Sequence, residues 1–199
     1  MVDSVIKNNK MKNEAIIKSI KILLEAFIAN KAEDNEVDNG SLSYLLGQLI
    51  RQYDIPKEHR HISKNAQARW DLLNVTKGNI EDYHYRNKVT CYPSKPMCFE
   101  FYNGAKKKGE SRTITKGSHF LFREMFHEDH VIPVSLIKEK LVDLNPINEK
   151  EIKEWLEKMH ICVILKEEDR KISRTKVRSF DFEETIINVY NKAGIFLDE

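Results

Sequence analysis

The stretch Phe126-His127-Glu128-Asp129-His130-Val131-Ile132-Pro133-Val134-Ser135 sets four consecutive residues able to ionise or ligate a metal between apolar neighbours, and stops at a proline. A solvated charge run has no need of Val131, Ile132 and Val134 pressed against it, and a core strand does not hold four polar side chains without partners. The local pattern is that of a short strand carrying a functional cluster at its end, where Pro133 halts ladder pairing. The chemistry that uses such residues is phosphodiester hydrolysis. A carboxylate holds a hard divalent cation through oxygen, and the cation offsets the charge building on the scissile phosphate. An imidazole, with an ordinary pKa near ~6.5, takes a proton from the attacking water. Asp129 beside His130 offers both groups. Strand alternation sends neighbours to opposite faces, so both serve one site only if the chain twists or kinks near Pro133.

These residues resemble the signature of the HNH, or ββα-metal, nuclease superfamily, an Asp-His pair followed by two apolar residues and a proline, here Asp129-His130-Val131-Ile132-Pro133. The family continues with an Asn before a second short strand, then a helix opening with a His or Asn metal ligand and basic residues. The matching stretch is His160-Ile161-Cys162-Val163-Ile164-Leu165 followed by Lys166-Glu167-Glu168-Asp169-Arg170-Lys171. The resemblance covers residues 112 to 175. It implies Asp129 as metal ligand, His130 as general base, His160 in the place of the orienting Asn, and Asp169 or else Glu168 as second metal ligand. Mg²⁺ or Mn²⁺ would be the cofactor and double-stranded DNA the substrate. The chain departs from the family at His160 and Asp169, and in the longer segment between the two halves.

Each residue also has a structural explanation. His127 and Glu128 could orient the base or form a surface ion pair. His160, between an amphipathic helix and an apolar strand, could be a hydrogen-bonded structural histidine. Asp169 could be an ordinary acid in a helix's first turn, favoured there by the macrodipole. His59 and His61 flank Arg60 in a polar stretch and read as solvent-exposed.

A net charge of +2 does not announce nucleic acid, but the distribution is uneven. Lys106, Lys107, Lys108, Arg112 and Lys116 oppose only Glu110, and Arg170, Lys171, Arg174, Lys176 and Arg178 oppose no acid. Such runs are often only solvated faces. Here they bracket the Asp-His cluster, and Lys106, Lys107, Lys108, Arg112, Arg174, Lys176 and Arg178 are the candidate phosphate contacts. With 41% hydrophobic and 32% charged residues, the 199-residue chain has the composition of a globular protein of one or two domains. No apolar run approaches the ~20 residues that cross a bilayer. Cys91, Cys98 and Cys162 form no Cys-x-x-Cys knuckle, so neither a structural zinc nor a disulfide framework is expected, and a cytoplasmic location is.

The elements that must position the cluster follow from periodicity. Ile16, Ile20, Leu23 and Phe27 predict a helix over about Lys10 to Asn30, ending in the acidic run Glu33 to Asp38. Ser41 is expected to cap a second helix with Leu42, Leu45, Leu46 and Leu49 on one stripe, and Ser63 a third through Ala66, Trp70 and Leu73. From Lys88 the pattern turns to aromatic and β-favouring residues, predicting a small antiparallel sheet that feeds into the Asp-His strand. Two helices follow, over Ser135 to Leu144 and from an Asn148 cap to Met159. Then come a buried strand at Ile161 to Leu165 and a helix opened by Asp181 and ended by Gly194.

The fold class expected is α+β: a helical region over 1–87, suited to DNA recognition, and a mixed region over 88–199 with a ββα-metal-like centre interrupted by two helices. The function expected is a metal-dependent DNA endonuclease of restriction, host-defence or mobile-element type, with a homodimer compatible. The competing class is a non-catalytic nucleic-acid-binding or interaction protein that merely contains the Asp-His-x-x-Pro string.

Overall fold

The computed structural model describes the chain except for residues 1, 33–35, 74–79, 81–89, 95, 102–109, 116–117, 173–177 and 199, together with the side chains of residues 2–11, 31–32, 36–39, 101 and 110. In order, the elements are α1 (Val2–Ala32), α2 (Glu36–Gln52), β1 (Arg60–Ile62), α3 (Lys64–Leu73), β2 (Thr90–Cys91), β3 (Met97–Phe101), β4 (Glu110–Ile114), β5 (Phe120–Leu121), α4 (Phe122–Met125), β6 (Phe126–His130), α5 (Val134–Val142), α6 (Glu149–Leu156), β7 (Ile161–Leu165), α7 (Lys166–Ile172) and α8 (Phe182–Thr185). This is the α+β chain with N-terminal helices that periodicity indicates. None of its described helices is long and apolar enough to cross a membrane.

Two units share the chain. The first takes residues 1–57 and 132–159, the second 58–131 and 160–199, so the division is discontinuous rather than a single break after residue 87. In the helical unit, Ile16, Ile20 and Leu24 of α1 are buried, as are Leu46 and Ile50 of α2, Ile137 and Leu141 of α5, and Ile152 and Leu156 of α6. Asn13 clamps the end of α2 by accepting from the Asp54 amide at 2.8 Å and donating to the Asp54 carbonyl at 3.0 Å. Two expectations are corrected here. α2 starts before Ser41 and runs through Gly40, whose local helix cost of about 1 kcal/mol is small beside tertiary packing. Its buried stripe is Leu46 and Ile50, while Leu45 is 48% exposed.

The second unit is built on a three-stranded sheet of order β1-β7-β6. The central β7, Ile-Cys-Val-Ile-Leu, is buried along its whole length, which explains why it lacks any polar alternation. It pairs antiparallel with β6, from Phe126↔Leu165 to His130↔Ile161, and parallel with β1, from Arg60↔Ile161 to Ile62↔Val163. One face, with Phe126, Val163 and Leu165, packs on Trp70, Phe120 and Phe122. The other, with Cys162 and Ile164, packs on Ile172, Val189 and Tyr190. The β-rich middle forms two separate two-stranded antiparallel sheets, β2–β5 and β3–β4, rather than one sheet leading into β6. Between β5 and β6 stands α4, because Glu124 accepts from the Leu121 amide at 2.8 Å and Phe122 and Met125 both turn into the core.

Caps behave as the side chains suggest. Ser63 Oγ accepts from Ala66 N–H, Asn148 Oδ1 from Glu151 N–H, and Asp181 Oδ1 from Glu184 N–H. Past α8 the helix loosens into a π turn over Ile186–Tyr190, then Asn191–Ala193, and stops at Gly194 with φ +74°, a conformation that glycine adopts without strain. Two helices, α5 and α6, thus lie between β6 and β7 in sequence, and α7 follows β7 without a loop.

Candidate active site

The ladder stays in register through His130, so the chain bends only after the Asp-His pair. Alternation therefore holds: Phe126, Glu128 and His130 point to the Trp70 side of the sheet, His127 and Asp129 to the Tyr190 side. The expectation that Asp129 and His130 turn into one cavity is corrected accordingly. The imidazole that shares a face with Asp129 is His127.

α7 brings the second carboxylate. Asp169 Oδ1 lies 3.6 Å from His127 Nε2, and both side chains are partly open, at 25% and 35% exposure. Burial lowers the His127 pKa even though the Asp169 and Asp129 carboxylates pull it upward, so at neutral pH the ring is uncharged and can accept a proton. Asp129 is more enclosed. It accepts from the Tyr190 hydroxyl and from Arg178 Nη2 at 2.9 Å. Burial and the nearby Asp129 charge raise the Tyr190 pKa, which keeps the phenol protonated and donating. Arg178 also donates to the His130 carbonyl at 2.6 Å, so one guanidinium grips both members of the Asp-His pair. The amide of Val131 donates to the His160 carbonyl at 2.9 Å and closes the end of the hairpin.

Lys166, at the start of α7, has its pKa lowered by burial; Asp169 opposes this, and Arg123 and Arg170 add to it. Lys166 thus lies within electrostatic reach of Asp169 and of two further cations.

The other candidates fall elsewhere. Glu168 is 1% exposed and faces inward, accepting from Ser63 Oγ at 2.6 Å, Asn65 Nδ2 at 2.9 Å and Leu165 N–H at 2.9 Å. It ties α7 to the start of α3 and serves the fold. Arg112 pairs with Glu124 at 3.3 Å. Arg178 is turned inward to Asp129, at 16% exposure, rather than standing in solvent as a phosphate contact. Lys106, Lys107, Lys108, Arg174 and Lys176 lie outside the described residues.

His160 belongs to a second cluster that charge patterning could not reveal. Its Nδ1 lies 3.0 Å from His61 Nε2, and its ring stacks on His59 at 4.1 Å and Phe182 at 4.3 Å between centroids. His59 and His61 are therefore packed side chains, not solvent-exposed ones, because β1 is drawn into the sheet beside β7. Burial and the neighbouring imidazoles lower His160 to about 4, and burial lowers His61. The folded protein holds both rings neutral, while the unfolded chain binds protons below about pH 6.5. Their contribution to stability is present above that pH and is lost as pH falls toward about 4. In urea unfolding, the drop in midpoint between pH 7 and pH 5 should be smaller for His160→Gln than for the parent. An equal drop in both would remove His160 from the acid sensitivity.

Comparison of the chain with protein-family models, with curated proteins and with solved structures gives no match. The cluster on β6 and α7 must be judged on its donors. Among the described residues no three His, Cys, Asp or Glu side chains converge on one point. A borderline ion such as zinc needs three or four such protein ligands. Mg²⁺ is content with one or two carboxylates, with water and substrate phosphate completing its shell. Asp169 beside His127 and Asp129 on the same sheet face fit that lesser demand in chemistry. Arg178 now supplies the positive charge facing Asp129.

Neither the Tyr190 contact with Asp129 nor the approach of Asp169 to His127 shows in local sequence pattern. The i, i+2 spacing of His127 and Asp129, read together with Asp169 in an element packed on the same face, was the signal that could have found the latter.

Proposed function

We propose that the chain is an HNH-like, divalent-cation-dependent endonuclease acting on double-stranded DNA, with its centre on β6, β7 and α7. The observation that carries this is the antiparallel β6–β7 pair running straight into α7, with Asp169 beside the neutral His127 and Asp129 on the same face of β6. Support comes also from the Asp129-His130-Val131-Ile132-Pro133 order at the end of β6 and from Lys166, which feels Asp169 and the cations Arg123 and Arg170.

Asp129 and Asp169 would hold Mg²⁺ or Mn²⁺, which when bound supplies charge stabilisation to the phosphate. Tyr190 and Arg178 hold the Asp129 carboxylate, and Arg178 fixes the backbone at His130, so the Asp-His step is rigid before substrate arrives. Arg123, Lys166 and Arg170 draw the phosphodiester to the open side. The motif assigns the proton of the attacking water to His130, which the β6 register turns to the sheet face opposite Asp129. A second assignment, His127 as the base, is favoured by its place on the Asp129 face of β6 and 3.6 Å from Asp169. Plasmid cleavage by the parent, His127→Ala and His130→Ala proteins with and without Mg²⁺ tests the reading and separates the two histidines. A folded parent that binds duplex DNA and never cuts it would favour the non-catalytic alternative.

A further inference from the structure

The helical unit carries its own basic hollow, lined by α2 and the start of α5. Ser43, Gly47 and Arg51 succeed one another at four-residue steps and form one stripe of α2. The first turn of α5 faces that stripe with Ser135 and Lys138, and the space enclosed is about 410 Å³. Lys138 Nζ donates to Ser43 Oγ at 2.8 Å across it. Arg51 lies back along its own helix, donating one N–H to the Gly47 carbonyl at 3.0 Å. A Cβ at position 47 would stand 3.2 Å from Arg51 Nη1, so the guanidinium lies close against the bare glycine.

The lining is one-sided in chemistry. It offers a guanidinium, an ammonium, two serine hydroxyls and the Gln48 amide, and no Asp or Glu lines it among the described residues. Neither Arg51 nor Lys138 makes an ion pair with a carboxylate among the described residues. A guanidinium keeps several donors after giving one away, and an ammonium has three. Two cations and two hydroxyls supply the donors of a tetrahedral oxyanion, which takes a forked guanidinium and single donors together, and the hollow is wide enough to admit one.

We propose that this hollow is a phosphate-binding site, formed by Arg51, Lys138, Ser43 and Ser135. The phosphate comes either from a polynucleotide backbone or from a free phosphate or phosphomonoester, and the donors recognise the same group in both. The site goes beyond the cleavage centre and does not depend on it.

Two titrations of the full chain in EDTA test it, so that no cleavage intervenes: calorimetry with inorganic phosphate, and anisotropy with a labelled DNA duplex over a range of salt. The parent should take up phosphate saturably, and Arg51→Gln/Lys138→Gln should bind it at least tenfold more weakly. If the backbone is the source, duplex affinity falls as well and the salt slope flattens by about 0.9 unit for each lost contact. If free phosphate is the source, duplex binding is unchanged while phosphate binding is lost. Should the double variant fail to fold, the single Arg51→Gln and Lys138→Gln variants carry the same test, each losing one of the two cations. Absence of phosphate uptake by the parent, together with parent-like duplex affinity and salt slope in the variant, overturns the proposal. These titrations read binding alone, so an inactive cleavage centre leaves their outcome untouched.

Discussion

His130→Ala should cleave supercoiled plasmid about 10² to 10⁴ times more slowly than the parent while binding the same duplex with nearly unchanged affinity. A general base acts on the attacking water and makes little ground-state contact, so its loss falls on the chemical step. The variant should fold, because the contact of residue 130 with Arg178 runs through its backbone carbonyl, which alanine retains. The measurement is single-turnover cleavage in Mg²⁺ beside anisotropy in EDTA. Parent-like cleavage by folded His130→Ala, with loss in His127→Ala, would move the base role to the ring beside Asp169. The pH profile gives an independent reading. Burial depresses His127, so an acid limb lying below the ordinary imidazole value of ~6.5 and absent from the residual activity of His127→Ala would point the same way.

Glu168→Ala should destabilise the protein by about 3 kcal/mol, large beside the usual 5–15 kcal/mol of a whole domain. The buried carboxylate takes hydrogen bonds from the Ser63 hydroxyl, the Asn65 amide and the Leu165 N–H. Alanine leaves a buried hydroxyl and a buried amide proton without an acceptor, at about 1–3 kcal/mol each, and removing the cost of burying a charge offsets part of this. Glu168→Gln should lie between, since its amide oxygen accepts while its NH₂ faces donors. Urea unfolding at pH 7 measures both. A loss under about 1 kcal/mol for Glu168→Ala would show that the carboxylate does not hold α7 to α3.

Sequence and structure agree most where one residue acts on its own neighbourhood. Ser63, Asn148 and Asp181 cap helices because a short oxygen reaches an amide three residues on, and nothing distant is needed. β7 is legible because five apolar residues after a helix can only be buried. β1 is not, since Arg60-His61-Ile62 carries no alternation, and its strand state comes from pairing with β7. That pairing is also why His59 and His61 are packed rather than solvated. Asp129, His130 and Asp169 stand out by residue type, but which of them share a face depends on where the ladder ends. Pro133 suggests a break near the pair, whereas the register holds to His130. Arg178 and Tyr190 reach Asp129 from a part of the chain that local pattern cannot connect to it.

The most direct test of a cation-dependent cleavage centre is digestion of supercoiled plasmid by the full chain, in Mg²⁺ or Mn²⁺, in excess EDTA, and with Asp129→Asn in parallel. The expected result is nicked and linear DNA with either metal, and none in EDTA. Asp129→Asn should be strongly impaired while circular dichroism shows it folded. Cleavage that persists in EDTA would contradict the cation's role, and undamaged plasmid from a folded parent in both metals would contradict the nuclease itself.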